Sequence, residues 1–222
     1  MRVSTASSAA AHTADCAIFA FSEGELRVLL VRRSVEPFAG SWLLPGGAMS
    51  QEDTLEETAR RVLLELVGVQ DISLTQVGTF SDPGRHPVRR VVTTCYYALV
   101  RPENHTPTPR GHLSDAAWYR LDDVPPLGFD HDELLRAAHH QLIQHLRERP
   151  MVFDLLPERF TLTEAQQLYE GILRERLDRR NFRRKMLSYD FLIETDEKRA
   201  GVQGGPLLYR IDSAALRRAE KR

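Results

Sequence analysis

Cysteine, lysine and long apolar runs are the scarce features of this 222-residue sequence. Two cysteines, Cys16 and Cys95, each inside an apolar run, are too few for a disulfide framework or a zinc site and point to a reducing cytoplasm. No stretch approaches the ~20 apolar residues of a membrane-spanning helix, so a soluble protein is expected. The opening MRVSTASSAAAHTA lacks the apolar centre of a secretory signal and is expected to be a disordered tail, residues 1–14. A dominant charge is missing too. Thirty basic residues against 31 acidic ones leave a formal net of −1, which excludes a uniformly basic nucleic-acid binder.

What charge there is lies unevenly. Residues 1–150 hold 15 arginines, no lysine and 19 acids, a net of −4, whereas residues 151–222 hold 15 basic against 12 acidic residues, a net of +3. A polyanionic partner is expected for the C-terminal part alone. The length suits two modest domains. Arg147-Glu148-Arg149-Pro150 breaks a helical pattern and marks the boundary between residues 15–150 and 151–222.

In the first domain, Cys16 to Phe21 and Leu26 to Val31 form a β-hairpin about Ser22-Glu23-Gly24-Glu25. From Asp53 to Val67, Leu55, Ala59, Val62 and Leu66 recur at helical spacing, and Gly68 ends the helix. Strands are expected at Leu74 to Phe80, Arg90 to Val100 and Ala117 to Leu121, then a helix over Asp132 to Leu146. That order predicts an α+β domain, a mixed sheet flanked by helices.

Beyond the boundary, Thr161-Leu-Thr-Glu164 and Thr163-Glu-Ala-Gln166 each offer a capping-box start for a helix with Ala165, Leu168, Tyr169 and Ile172 on one face. Asp178 caps a second helix whose buried stripe is Phe182, Met186 and Tyr189. Arg180, Asn181 and Arg184 then face outward, with side chains that read guanine and adenine edges, while Arg179, Arg183 and Lys185 suit phosphates. Two strands follow, Phe191 to Thr195 and Leu207 to Ile211, joined by a polar glycine-containing loop that carries Lys198 and Arg199. Helix, turn, basic helix and hairpin in that order predict a winged helix-turn-helix that binds double-stranded DNA. Thr161 and Thr163, at the start of the first helix, join the expected DNA-binding set.

The segment Gly47 to Val69 resembles the Nudix box, G-x5-E-x7-R-E-U-x-E-E-x-G-U with U a bulky aliphatic, and Pro45-Gly46-Gly47 precedes it as in that family. Gly47, Asp53, Arg61, Leu63, Glu65 and Gly68-Val69 fill their positions. Val62 and Leu66 stand where two glutamates belong. Carboxylates at i, i+3 and i+4 share a helix face and together hold Mg²⁺ on a diphosphate. Glu65 alone cannot fix that geometry, so Gly47, Asp53, Arg61 and Glu65 read as a vestigial box, with no catalytic residue, weak Mg²⁺ binding at most and slow or absent hydrolysis.

Further ligand contacts are expected around this box. Nudix domains hold a nucleoside and its diphosphate where Arg33 and Phe38 fall. The cation-rich loop Ser81 to Arg90 offers Arg85 and Arg89 to phosphates, and Phe129-Asp130-His131 opens the next helix, with Asp130 as its cap and His131 beside the ligand. The effector set is thus Arg33, Phe38, Gly47, Glu65, Arg85, Arg89 and His131.

With Phe160-Thr-Leu-Thr-Glu164, Leu168-Tyr169-Glu170, Leu177 to Met186 and Pro206-Leu-Leu-Tyr209 added, residues 15–212 resemble the NrtR family of Nudix-related transcriptional regulators. The resemblance implies a homodimer that represses genes of NAD synthesis or salvage, or in some branches of sugar use, and leaves its operator on binding ADP-ribose or a relative. It implies no required cofactor. The alternative is an active ADP-ribose pyrophosphatase with an accessory C-terminal domain.

Overall fold

The computed structural model describes residues 10–148, 153, 155–199 and 205–219. β1 (Ala11–Ser22) and β2 (Glu25–Arg33) form the expected hairpin and lead through β3 (Trp42–Leu43) and β4 (Gly46–Ala48) into α1 (Leu55–Val67). β5 (Thr75–Phe80), β6 (Val91–Val100), β7 (Leu113–Arg120) and α2 (His131–Glu148) complete the first half. The second half is α3 (Leu162–Leu173), α4 (Arg179–Met186), β8 (Leu192–Lys198), β9 (Leu207–Ile211) and α5 (Ser213–Ala219).

Seven strands make one mixed sheet in the order β3-β2-β1-β6-β5, with β4 beside β1 and β7 beside β2. β1 and β6 run parallel, from Ala11 opposite Val91 to Ala20 opposite Val100, and the other pairs are antiparallel. The expected tail needs correcting here. Residues 11–14 already pair with β6, because a ladder is made by the backbone and accepts small polar side chains as readily as apolar ones. Residues 1–9 of that tail lie outside the described residues, as do residues 149–152 and 154 at the expected domain boundary.

The pleat of β1 sends alternate side chains to opposite faces. Cys16, Ile18 and Ala20 meet the apolar stripe of α1, where Ala59, Val62, Leu63 and Leu66 are buried. Ala17 and Phe19 face α2, with Leu134, Leu135, Ala138 and Leu142. Each large side chain so buried contributes about 1.5–3 kcal/mol. Both cysteines are buried and free, and burial pushes their thiols well up.

The core on the α2 side does not stop at the sheet. It continues through Phe160, Leu168, Tyr169 and Ile172 to Phe182 and Met186, so both halves share one apolar body. Polar contacts cross the same seam. His139 of α2 donates from Nε2 to the Ile172 carbonyl at 2.8 Å, and Arg174, just past α3, pairs with Asp122. Among the described residues, no helix is long and apolar enough to cross a membrane.

Candidate functional site

α1 starts at a reciprocal cap. Thr54 Oγ1 accepts from the Glu57 amide at 3.2 Å, while Glu57 Oε2 accepts from the Thr54 amide at 2.7 Å. This places Asp53 just ahead of the helix rather than inside it, where Arg61 reaches back to it. Arg61 Nε donates to Asp53 at 2.7 Å, Nη1 to Glu65 at 3.3 Å and Nη2 to the Ala48 carbonyl at 3.1 Å. The Arg61 hydrogen bond holds the Asp53 carboxyl below its usual range. Both remaining box carboxylates are therefore gathered on one guanidinium.

The two altered positions turn inward. Val62 is 3% exposed, and its Cγ2 lies 2.8 Å from where a Cβ on Gly47 would stand, so glycine alone fits opposite it. Leu66, 9% exposed, forms part of a pocket wall. Among the described residues, no group of three or more His, Cys, Asp or Glu is placed to hold a metal. With two carboxylates replaced by hydrocarbon and two others on Arg61, the donor set does not fit the Mg²⁺ cluster of the Nudix box.

The pocket itself measures about 200 Å³ and lies between β1, the Gly46–Ala48 strand, α1, the 81–90 loop and the start of α2. Arg33, Gly47, Arg85, Arg89 and His131 of the expected effector set line it. Phe38 is not a lining residue but packs its ring 4.5 Å from that of Phe129, which is one. His86 stacks on Phe129 as well, at 5.2 Å and 21°. Glu65 falls outside the lining, because the helix turns Leu66 toward the cavity and leaves Glu65 exposed.

Two cations of the expected effector set have other partners. Arg85 is buried, and its Nε and Nη2 donate to Asp130 at 2.8 and 2.9 Å, so the bidentate geometry expected for a phosphate is taken by a carboxylate. Asp130 in turn begins α2 through its carbonyl, which accepts from Glu133 and Leu134, rather than through its side chain. Arg33 donates to the Val35, Pro37 and Glu36 carbonyls at 2.8, 2.9 and 3.3 Å and so braces the loop that carries Phe38. Arg89 is exposed at the rim.

Asp15 is the functional candidate that sequence reading passed over. It is 5% exposed at the pocket floor, accepts from Thr93 Oγ1 at 2.6 Å, and lies 3.8 Å from Arg85 and 3.9 Å from His131. The signal was there: a lone carboxylate within the apolar run Cys16 to Phe21 and its approach. A buried charge persists only where neighbours compensate it.

In the second half, α3 begins at Thr161, whose hydroxyl accepts from the Glu164 amide at 3.1 Å and is buried. Thr161 is thus a buried helix cap, its hydroxyl already engaged by Glu164. Thr163 is exposed on the first turn. Asp178 caps α4 by accepting from the Asn181 amide at 2.8 Å. Phe182 and Met186 are buried, which leaves Arg179, Arg180, Asn181, Arg183, Arg184 and Lys185 exposed. Arg184 donates to Asn181 Oδ1 at 3.0 Å, so two of the presumed base readers are already oriented together.

The wing departs from expectation at its base. β8 runs to Lys198, longer than read from sequence, and the loop residues 200–204 lie outside the described residues. Lys198 is exposed, whereas Arg199 pairs with both oxygens of Glu164 on α3. That guanidinium ties the wing to the helix through its Nη2.

The Nudix domain model matches residues 11–138, and the model of the NrtR DNA-binding winged helix domain matches residues 152–211. The ADPR responsive transcriptional repressor NtrR of Acinetobacter baylyi is 35% identical, across 90% of this chain and 81% of that protein. Shewanella oneidensis NrtR, solved with a 27mer DNA, is 32% identical with a TM-score of 0.77, over 92% of this chain and 95% of its own. Its Nudix domain, solved with ADP ribose, is 35% identical with a TM-score of 0.56, over 60% of this chain and 89% of its own. Matches of that extent, running through both halves in the same order, mean that the chain belongs to the NrtR family.

Proposed function

We propose that this protein is a ligand-responsive transcriptional repressor of NAD metabolism genes. It binds operator DNA through α4, with Thr163 and Lys198 beside it, and is released when ADP-ribose or a related nucleotide enters the pocket of the Nudix domain. The observation behind this reading is the fate of the two altered box positions: Val62 fills the space against Gly47 and Leu66 becomes pocket wall. A cavity kept intact while its metal ligands are replaced serves binding rather than turnover. The relatives named for ADPR response, DNA binding and ADP ribose binding support the same division of labour.

In this reading the effector residues are Arg33, Phe38, Gly47, Arg89 and His131, joined by Asp15, and Arg85 acts as a buried support. The protein works in the cytoplasm as a homodimer whose two α4 helices meet half-sites about one helical turn apart. Mg²⁺ is not needed for ligand binding. Because effector and DNA oppose each other, each weakens the other's binding by the same factor.

The test is a titration of the DNA upstream of the neighbouring operon with full-length protein, with and without ADP-ribose. The expected result is a retarded complex that ADP-ribose dissolves, and no AMP released with Mg²⁺ over hours. DNA binding indifferent to ADP-ribose would overturn the reading. Mg²⁺-dependent AMP release abolished by Glu65→Gln would establish the pyrophosphatase alternative instead.

A further inference from the structure

We propose that the pocket floor, Asp15 with His131, reads a free hydroxyl on the sugar of the bound nucleotide and turns phosphate away from that position. This rests on the sugar-nucleotide reading above and adds the part of the ligand that is inspected.

The two oxygens of Asp15 have different partners. Oδ2 accepts from Thr93 at 2.6 Å and has Arg85 Nη2 at 3.8 Å. Oδ1 has no direct hydrogen bond among the described residues; it lies over Gly46, 1.7 Å from where a Cβ there would stand, so any other residue would displace it. His131 Nε2 lies 3.9 Å from Oδ1.

The protonation of that ring follows from its other nitrogen. The Leu44 amide donates to His131 Nδ1 at 3.0 Å, so the neutral ring carries its proton on Nε2. Burial holds His131 below the ordinary histidine value, which favours that neutral form. A donor and an acceptor thus face each other across a span too long for a direct bond. One oxygen at about 2.8 Å from each would satisfy both.

The chemistry of that oxygen is constrained. It must accept from Nε2–H and donate to a carboxylate, which a hydroxyl does and an ionised phosphate oxygen cannot. A phosphate there would also set one anion against another at a buried site, a costly arrangement. Thr13, two residues earlier on the same face of β1, lines the pocket with its Oγ1 buried and unpartnered. The exposed cation of the rim, Arg89, is left for the diphosphate, so the nucleotide enters sugar first.

Calorimetric titration of the full-length protein tests this with ADP-ribose, analogues lacking one hydroxyl of the terminal ribose, and ADP-ribose phosphorylated on that ring. At least one deoxy analogue is expected to bind about tenfold or more weaker, since it leaves a buried donor or acceptor unpaired, and the phosphorylated ligand weaker still. Asp15→Asn, which removes the repelling charge, is expected to narrow the gap between ADP-ribose and its phosphorylated form. The ligand series needs only the natural protein, so it decides even where Asp15→Asn does not fold. Equal affinity for all these ligands would overturn the inference while leaving the nucleotide reading intact; no affinity for ADP-ribose itself would overturn both.

Discussion

Arg85 and Asp130 face each other through two hydrogen bonds, 2.8 and 2.9 Å, with only 4% of the arginine side chain exposed. The pair joins the 81–90 loop to the residue before α2, at the edge of the ligand pocket. A buried pair adds little over an apolar filling, but breaking it strands a charge.

Arg85→Ala is therefore expected to cost about 3–5 kcal/mol of unfolding free energy, because Asp130 and Asp15 lose their nearest cation together. Urea denaturation of the natural protein and the variant measures the difference. A loss below about 1 kcal/mol would show that the loop is not anchored through this pair.

Stability should also fall with acid in a defined window. His86, His112, His131 and His139 are all held below the ordinary histidine value, burial being the largest cause for each. The unfolded chain then binds more protons than the folded one once pH drops through about 6.5, so their contribution is complete above that value and declines below it. The urea midpoint is expected to decrease steadily from pH 7.5 to pH 5.5. His139→Gln keeps a donor for the Ile172 carbonyl and should make the slope shallower; an unchanged slope would exclude His139 from the effect.

On α4, Arg180→Ala and Arg184→Ala are each expected to weaken operator binding by about 1–3 kcal/mol without changing ADP-ribose affinity. Lys198→Ala should lower the salt dependence of binding by about one counterion, as for a phosphate contact. Arg199→Ala should leave that dependence unchanged, because its guanidinium is held by Glu164. Gel retardation across a salt series separates the three behaviours. Equal operator affinity for natural protein and Arg180→Ala would remove α4 from the interface.

Much of this was readable from sequence where the signal is local. The box helix announces itself by period and Gly68, and α4 by Asp178, Phe182 and Met186, since all those contacts lie within a few residues. Asp15, by contrast, is explained by Thr93, Arg85 and His131, which only the parallel β1–β6 pairing and the start of α2 bring near. Arg199 looked free because its partner, Glu164, is 35 residues away. Thr161 read as a DNA contact because a helix start offers the same hydroxyl for capping or for phosphate, and here the hydroxyl is buried in the cap. β3 and β4 are two and three residues long, too short for any alternation to register.

α2 begins at the pocket with His131 and, two turns on, holds the end of α3 through His139. Its 18 residues make a rod about 27 Å long at 1.5 Å per residue. A tilt of about 5° pivoting at the pocket end would carry the far end about 2 Å. At His139, about 12 Å from His131, the same tilt would shift the contact with α3 by about 1 Å, and in the proposed homodimer such a shift would alter the spacing of the two reading helices.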